Sequence, residues 1–307
     1  MYQTISKILL LSLALLLWSS CDEDSFSQIV EIEIPEHESR PVLKMQLMAG
    51  EDNPQTLLSL SKGILDDEEF ELPEDARVTL FQDGAELAQL EYYDDLYKYE
   101  AFLDEGIPST AGVNYRLEAE VPGFETVFAD QVMPAVPNVP KVTWEREGAI
   151  TPDGDRVDEI VITIVDDEPG VTNYYGIIGF VAETVVNPNT GDTIQAGRYN
   201  AFLDTNDPLL SYSAYYNLVF TDESFDGSDF QARCYTYNFL PENSIADYEV
   251  QVFQLTRDAY LYARSLDQYN NAIDNPFAEP VTVHSNIEGG YGVFFLSNSV
   301  EVIAEEQ

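Results

Sequence analysis

From Arg40 onward the chain repeats one pattern, in which short runs alternate apolar and polar residues and close on turn formers. Val42-Leu43-Lys44-Met45-Gln46-Leu47 alternates, and Thr56-Leu57-Leu58-Ser59-Leu60-Ser61 follows the turn Asp52-Asn53-Pro54. Ala76 to Phe81 ends at Asp83-Gly84; Tyr97 to Glu100 and Tyr115 to Val121 continue the series, the last closing at Pro122-Gly123. A period of two sends successive side chains to opposite faces of a strand. Strands of this length, with turn signals every ~8–12 residues, describe a sandwich with one buried face and one wet face. No helical period occurs in this half.

The cluster Pro134, Pro137 and Pro140 breaks the pattern and marks a domain boundary. Beyond it, Ile160 to Val165, Tyr174 to Val181, Tyr215 to Phe220, Ala232 to Phe239 and Tyr248 to Leu255 read as further strands. Thr256 to Asn271 is the exception. Ala259, Ala263, Leu266 and Tyr269 recur at spacings of three and four, and Thr256 is placed to cap a helix. The expected fold is mainly β. An immunoglobulin-like sandwich over 39–136 is followed by a β-rich domain over 137–307, with one α-helix at about 256–271.

Composition narrows the function. The chain has 307 residues, with 14 Lys and Arg against 56 Asp and Glu, a formal charge of −42. Phosphate neutralisation needs clustered cations, so nucleic acid is excluded as a partner. At 23% charged residues the chain is not an acidic disordered tail, and 19 Tyr with 16 Phe can fill a sizeable core.

The N-terminus reads as a targeting segment. Lys7 precedes the apolar run Ile8 to Trp18, interrupted only by Ser12 and followed by Ser19-Ser20-Cys21. Such a run is too short to cross a ~30 Å hydrocarbon core and suits the apolar region of a signal peptide. Small residues before a cysteine suit cleavage by lipoprotein signal peptidase, which makes residues 1–20 the leader and Cys21 the acylated first residue. Trp18 stands where Leu is usual. Loss of the leader removes Lys7 alone and leaves a charge of −43. Acyl chains at ~0.8 kcal/mol per buried CH₂ then anchor the protein to a membrane. Residues 21–38 are expected to form an acidic tether.

Chemistry-bearing residues are few. No G-x-S-x-G elbow occurs, and the histidines are His37, in the tether, and His284, whose neighbour Ser285 would point to the opposite face of a strand. No catalytic residue is assigned. Asp222, Ser224, Asp226 and Gly227 outline the start of a calcium loop, but its twelfth position is Arg233 where a bidentate Glu is needed. Asp153-Gly154-Asp155 and Asp204-Thr205-Asn206-Asp207 are similar acidic turns. No cofactor is expected, calcium being the one alternative these loops leave open. Cys234, the one cysteine left after acylation, reads as a small buried hydrophobe. Tyr92, Tyr93, Tyr97 and Tyr99, with Tyr174, Tyr175, Tyr199, Tyr212, Tyr215 and Tyr216, read as strand and core filling. The alternative is a contact surface around Tyr212 to Tyr216.

The C-terminal stretch carries a family resemblance. Asn275-Pro276-Phe277-Ala278-Glu279-Pro280-Val281 and Ser285-Asn286-Ile287-Glu288-Gly289-Gly290-Tyr291-Gly292-Val293-Phe294-Phe295 resemble the closing motif of an outer-membrane lipoprotein family of the Bacteroidota, domain of unknown function 4249. The helix with Tyr260, Tyr262 and Leu266, the segment Tyr115 to Phe124, and Val132-Met133-Pro134 fit the same pattern. The first half is also similar to carboxypeptidase-regulatory and transthyretin-like sandwiches.

The resemblance implies an outer-membrane location and the company of a TonB-dependent receptor barrel. On that basis Asp22, Glu23 and Asp24 resemble a surface-export signal, and the protein is expected to face the cell exterior. Its expected role is a non-enzymatic binding or accessory subunit in nutrient uptake, with a small nutrient, peptide or glycan as ligand. A structural, envelope-assembly or adhesion lipoprotein is the rival, and a carboxylate-based hydrolase is the least supported. In the motif, Asn286, Gly289, Gly290 and Gly292 are expected to shape a tight turn, the glycines permitting positive φ or close backbone approach; a binding loop is the alternative.

Overall fold

The computed structural model describes residues 37–63, 66–67, 69–187, 189–237, 244–273, 275 and 277–307. The leader, Cys21, Asp22, Glu23, Asp24 and most of the tether lie outside them.

Strands dominate. The first series is β1 (Pro41–Met48), β2 (Gln55–Leu60), β3 (Arg77–Gln82), β4 (Ala85–Tyr93), β5 (Lys98–Glu100), β6 (Asn114–Glu120) and β7 (Val127–Val132). The second is β8 (Asn138–Ile150), β9 (Arg156–Val165), β10 (Tyr174–Val186), β11 (Thr193–Ala201), β12 (Ser211–Tyr212), β13 (Leu218–Thr221), β14 (Asp229–Thr236) and β15 (Ser244–Leu255). Helix α1 (Arg257–Ile273) follows, then β16 (Tyr291–Ile303) and β17 (Glu305–Glu306). The described residues are therefore mainly β, with a single α-helix among them, near the C-terminus. Alternation explains the strands directly: in β1, Pro41, Leu43, Met45 and Leu47 are buried while Val42, Lys44 and Gln46 are half-buried.

Thirteen strands join in one hydrogen-bonded path, β12-β13-β10-β15-β16-β1-β2-β5-β4-β3-β6-β7, with β11 on β10; the order β14-β9-β8-β17 forms a second sheet. Strand β4 turns a corner, its first part pairing β3 and Glu91, Tyr92 and Tyr93 pairing β5. The path thereby folds over a core of Leu43, Met45, Leu58, Leu80, Leu117 and their neighbours. A second core lies where Ile160, Ile162 and Ile164 of β9 meet Ile177, Val250 and Val252. A third, aromatic core seats α1 through Ala259, Tyr262 and Ala263 against Tyr216, Phe253, Val293 and Phe295.

Strand β16 touches all three. Phe294 and Leu296 enter the first core, Val300 and Val302 flank the second, and Val293 and Phe295 enter the third. Its first half pairs in parallel with β1 (Val42 opposite Tyr291) and its second half antiparallel with β15 (Val252 opposite Val300). Residues Ser39–Gln307 pack as one unit.

Some local expectations are corrected. Tyr215 and Tyr216 precede β13 in a bend, where the Ser213 hydroxyl accepts both of their N–H groups at 3.1 and 3.3 Å. Thr256 does stand at the start of α1, and its carbonyl accepts the Tyr260 N–H. Its hydroxyl, however, accepts the Leu296 N–H of β16 at 3.3 Å, which ties the helix start to the sheet. Pro140 lies inside β8, at an irregularity between Asn138 and Lys141 where proline's missing N–H is tolerated.

Candidate functional site

The C-terminal motif wraps the entry of β16 and meets the first turn of α1. Asn286 is its hinge. The side-chain Nδ2 donates to the Phe294 carbonyl at 2.7 Å, and Oδ1 accepts the Phe294 N–H at 2.9 Å. Two residues on, Glu288 exchanges backbone hydrogen bonds with Phe128 of β7. The motif therefore ties the entry of β16 to β7.

Two of the glycines are dictated by β1. A Cβ on Gly292 would sit 2.1 Å from the Leu43 carbonyl oxygen, at a φ of +106°; one on Gly290 would sit 2.5 Å from that of Pro41. Gly289 adopts a φ of +80° in the turn between Glu288 and β16. Only glycine fits where two backbones approach this closely or φ is this positive.

Asp258 gathers the polar groups. Its Oδ1 lies 2.7 Å from Nε2 of His284, and its Oδ2 accepts Nδ2 of Asn286 at 3.3 Å and Nε2 of Gln131, from β7, at 2.6 Å. An ionised carboxylate only accepts, so Nε2 of His284 carries the proton. Burial alone would raise the Asp258 carboxyl, but the hydrogen bonds from Gln131, His284 and Asn286 outweigh it and hold the group below the usual carboxylate range. The backbone N–H of His284 donates to the Ser265 hydroxyl at 2.8 Å. Chemically this is a clasp of mutually satisfied groups joining α1, β7 and β16. Asn286 was visible in the sequence. Gln131 and Asp258 were not, and the one local sign was an acid in the first helical turn.

The other candidates fall in separate places. Asp222 is fully buried, and both carboxylate oxygens accept the Asn173 N–H at 2.9 and 3.0 Å. Asp226 accepts the Gly170 N–H at 2.7 Å. These acids brace turns, and among the described residues no group of three or more His, Cys, Asp or Glu converges as a metal site. Cys234 is buried in the second core, and burial pushes its thiol up to about 12. The tyrosines divide. Tyr99, Tyr175 and Tyr216 are buried, with Tyr175 stacked on Phe220, whereas Tyr97, Tyr199 and Tyr212 are exposed.

Comparison with known proteins follows the same residues. The family described as Domain of unknown function (DUF4249) matches residues 28–302, nearly the whole described chain and the entire motif. The chain belongs to this family. Within this DUF4249 domain the glycine motif is thus part of a strand-docking device built with β1 and β7. Among curated proteins none matches. The three N-terminal domains of the Highly Immunogenic Outer Capsid protein (Hoc) of bacteriophage RB49 align over 88% of this chain and 70% of that one. Identity is 9% and the TM-score 0.25, too low for one fold to inform the other.

Proposed function

We propose that this chain is a lipid-anchored outer-membrane protein, facing the cell exterior, that serves as a non-enzymatic binding or accessory subunit of a TonB-dependent receptor. The observation that carries the anchor is the sequence order: an apolar run, Ile8 to Trp18, then Cys21, then the acidic Asp22-Glu23-Asp24. Among the described residues no helix is long and apolar enough to cross a membrane. The non-enzymatic part of the reading is supported by the way the polar groups of the clasp are spent on one another. The His284 imidazole is held by Asp258 and the Ser265 hydroxyl by the His284 N–H. Exposed aromatics such as Tyr97, Phe102 and Tyr212 supply contact area of the kind partner surfaces use.

Three measurements test the reading. Mass spectrometry of the mature N-terminus should find acylated Cys21, and Cys21→Ala should release the protein from the membrane fraction. Protease shaving of intact cells should remove it. Affinity purification of the tagged chain from solubilised membranes should recover a receptor barrel; recovery of none under every nutrient condition would refute the accessory role.

A further inference from the structure

Away from the clasp, the outer face of the second sheet carries a cleft of about 320 Å³. Register fixes its floor. Cys234 and Ile160 point into the second core, so Arg233, Tyr235 and Glu159 share the opposite face, with Glu159 directly across from Tyr235. A residue on that face should be open to water, yet Tyr235 is only 5% exposed. The segment after β11 runs beside it, along the free edge of β14. Asp204 exchanges backbone hydrogen bonds with Tyr235 at 2.9 and 2.8 Å, and the Thr205 hydroxyl donates to the Arg233 carbonyl at 2.7 Å. The Asn206 amide donates to the Ile150 carbonyl at 3.2 Å. The segment is thereby tied at three points to two strands, β14 and the end of β8, and its Asn206 and Asp207 line the cleft with Ala149, Glu159 and Arg233.

The lining sets the ligand chemistry. Arg233 is balanced by Glu159, at 3.2 Å, and Asp207 adds a further carboxylate, so an anionic ligand is disfavoured in a chain already at −42. An apolar ligand would take water from the donors and acceptors that the Arg233–Glu159 pair, the Asn206–Ile150 bond and the Asp207–Leu209 bond leave unused. Each of those planar groups can donate to or accept from two neighbouring hydroxyls. The volume is that of a small-ligand site. We propose that this cleft binds a saccharide unit, held by Glu159, Asn206, Asp207 and Arg233. This deepens the binding-subunit reading and rests on it for its biological setting.

The test uses the full lipidated chain in a detergent without a sugar headgroup. Ligand-observed NMR is run with glucose, galactose, mannose and xylose, and with glycylglycine as a peptide comparator. At least one sugar should bind saturably at or below about 10 mM, in the range expected of a small open site. Arg233→Ala and Asn206→Ala should each weaken that binding at least about tenfold, while Arg77→Ala, on β3, should not change it. Arg233 is an exposed strand residue, and circular dichroism checks that its variants fold; Arg233→Gln serves if Ala does not. The inference is overturned if no sugar binds, if binding survives both substitutions, or if glycylglycine binds here instead. Receptor recovery is measured separately, so losing the sugar result leaves the accessory role standing, and sugar binding without a receptor removes only that role.

Discussion

The carboxamide of Asn286 pairs with both backbone groups of Phe294, donating to the carbonyl at 2.7 Å and accepting the N–H at 2.9 Å. A side chain thereby supplies what a neighbouring strand would otherwise give at the entry of β16. Replacement by Ala leaves two strand groups without partners beside the first core. Asn286→Ala should lower stability by about 2–4 kcal/mol, read as a shift of the urea midpoint with an unchanged slope.

The backbone contact between Gly292 and Leu43 is a stricter constraint. Gly112 and Gly292 both have positive φ, but a Cβ on Gly112 would meet nothing within 4 Å. Gly112→Ala should cost about 1–2 kcal/mol from backbone conformation alone. Gly292→Ala adds a collision with β1 and should cost more than about 4 kcal/mol, seen as loss of the cooperative transition. Equal costs for the two would contradict the close approach.

Two aspartates should titrate with opposite signs. The folded carboxyl of Asp258 is held below its ordinary value of 3.8, so its contribution is full above that value and lost as pH falls through the lower folded one. Asp258→Asn should flatten the acid limb of the stability curve below about pH 4. Asp222 is raised above 3.8, chiefly by burial, so its contribution is full below that value and lost as pH rises through the higher folded one. Asp222→Asn should remove this loss and leave the protein at least as stable at pH 7. Urea titrations from pH 3 to pH 7 separate the two.

Cys234 should be silent until the protein opens. Its thiol is buried and pushed up to about 12, chiefly by burial, so almost no thiolate exists near neutral pH. In a Cys21→Ser chain, a thiol reagent at pH 8 should label Cys234 only at the rate of unfolding, and labelling should track the urea transition.

The sequence shows its local order well and its long-range order poorly. Alternation in β1 and β6, and the spacing Ala259, Ala263 and Leu266 in α1, name strand and helix, because each signal spans a few residues and reports which face is buried. The pairing of β1 with β16 leaves no such trace. Val42 and Tyr291 lie at opposite ends of the chain, and nothing local to either specifies the other. Thr256 shows the same limit: its residue type announces a cap, while the partner of its hydroxyl, Leu296, is fixed only by how α1 sits on β16. The glycines of the motif were visible as glycines, but the neighbour that requires them is the backbone of β1. The clasp was half legible for the same reason, since Gln131 reaches Asp258 across 127 positions.

The placement of β16 has a consequence in time. A chain made from its N-terminus presents β1 with one edge bare and all three cores without a shared wall until β16 (Tyr291–Ile303) has been made. Contacts this distant in sequence are slow to form, so the nascent protein has a long interval of exposed apolar surface. A stop codon anywhere between Glu249 and Val302 should then produce no partly working fragment.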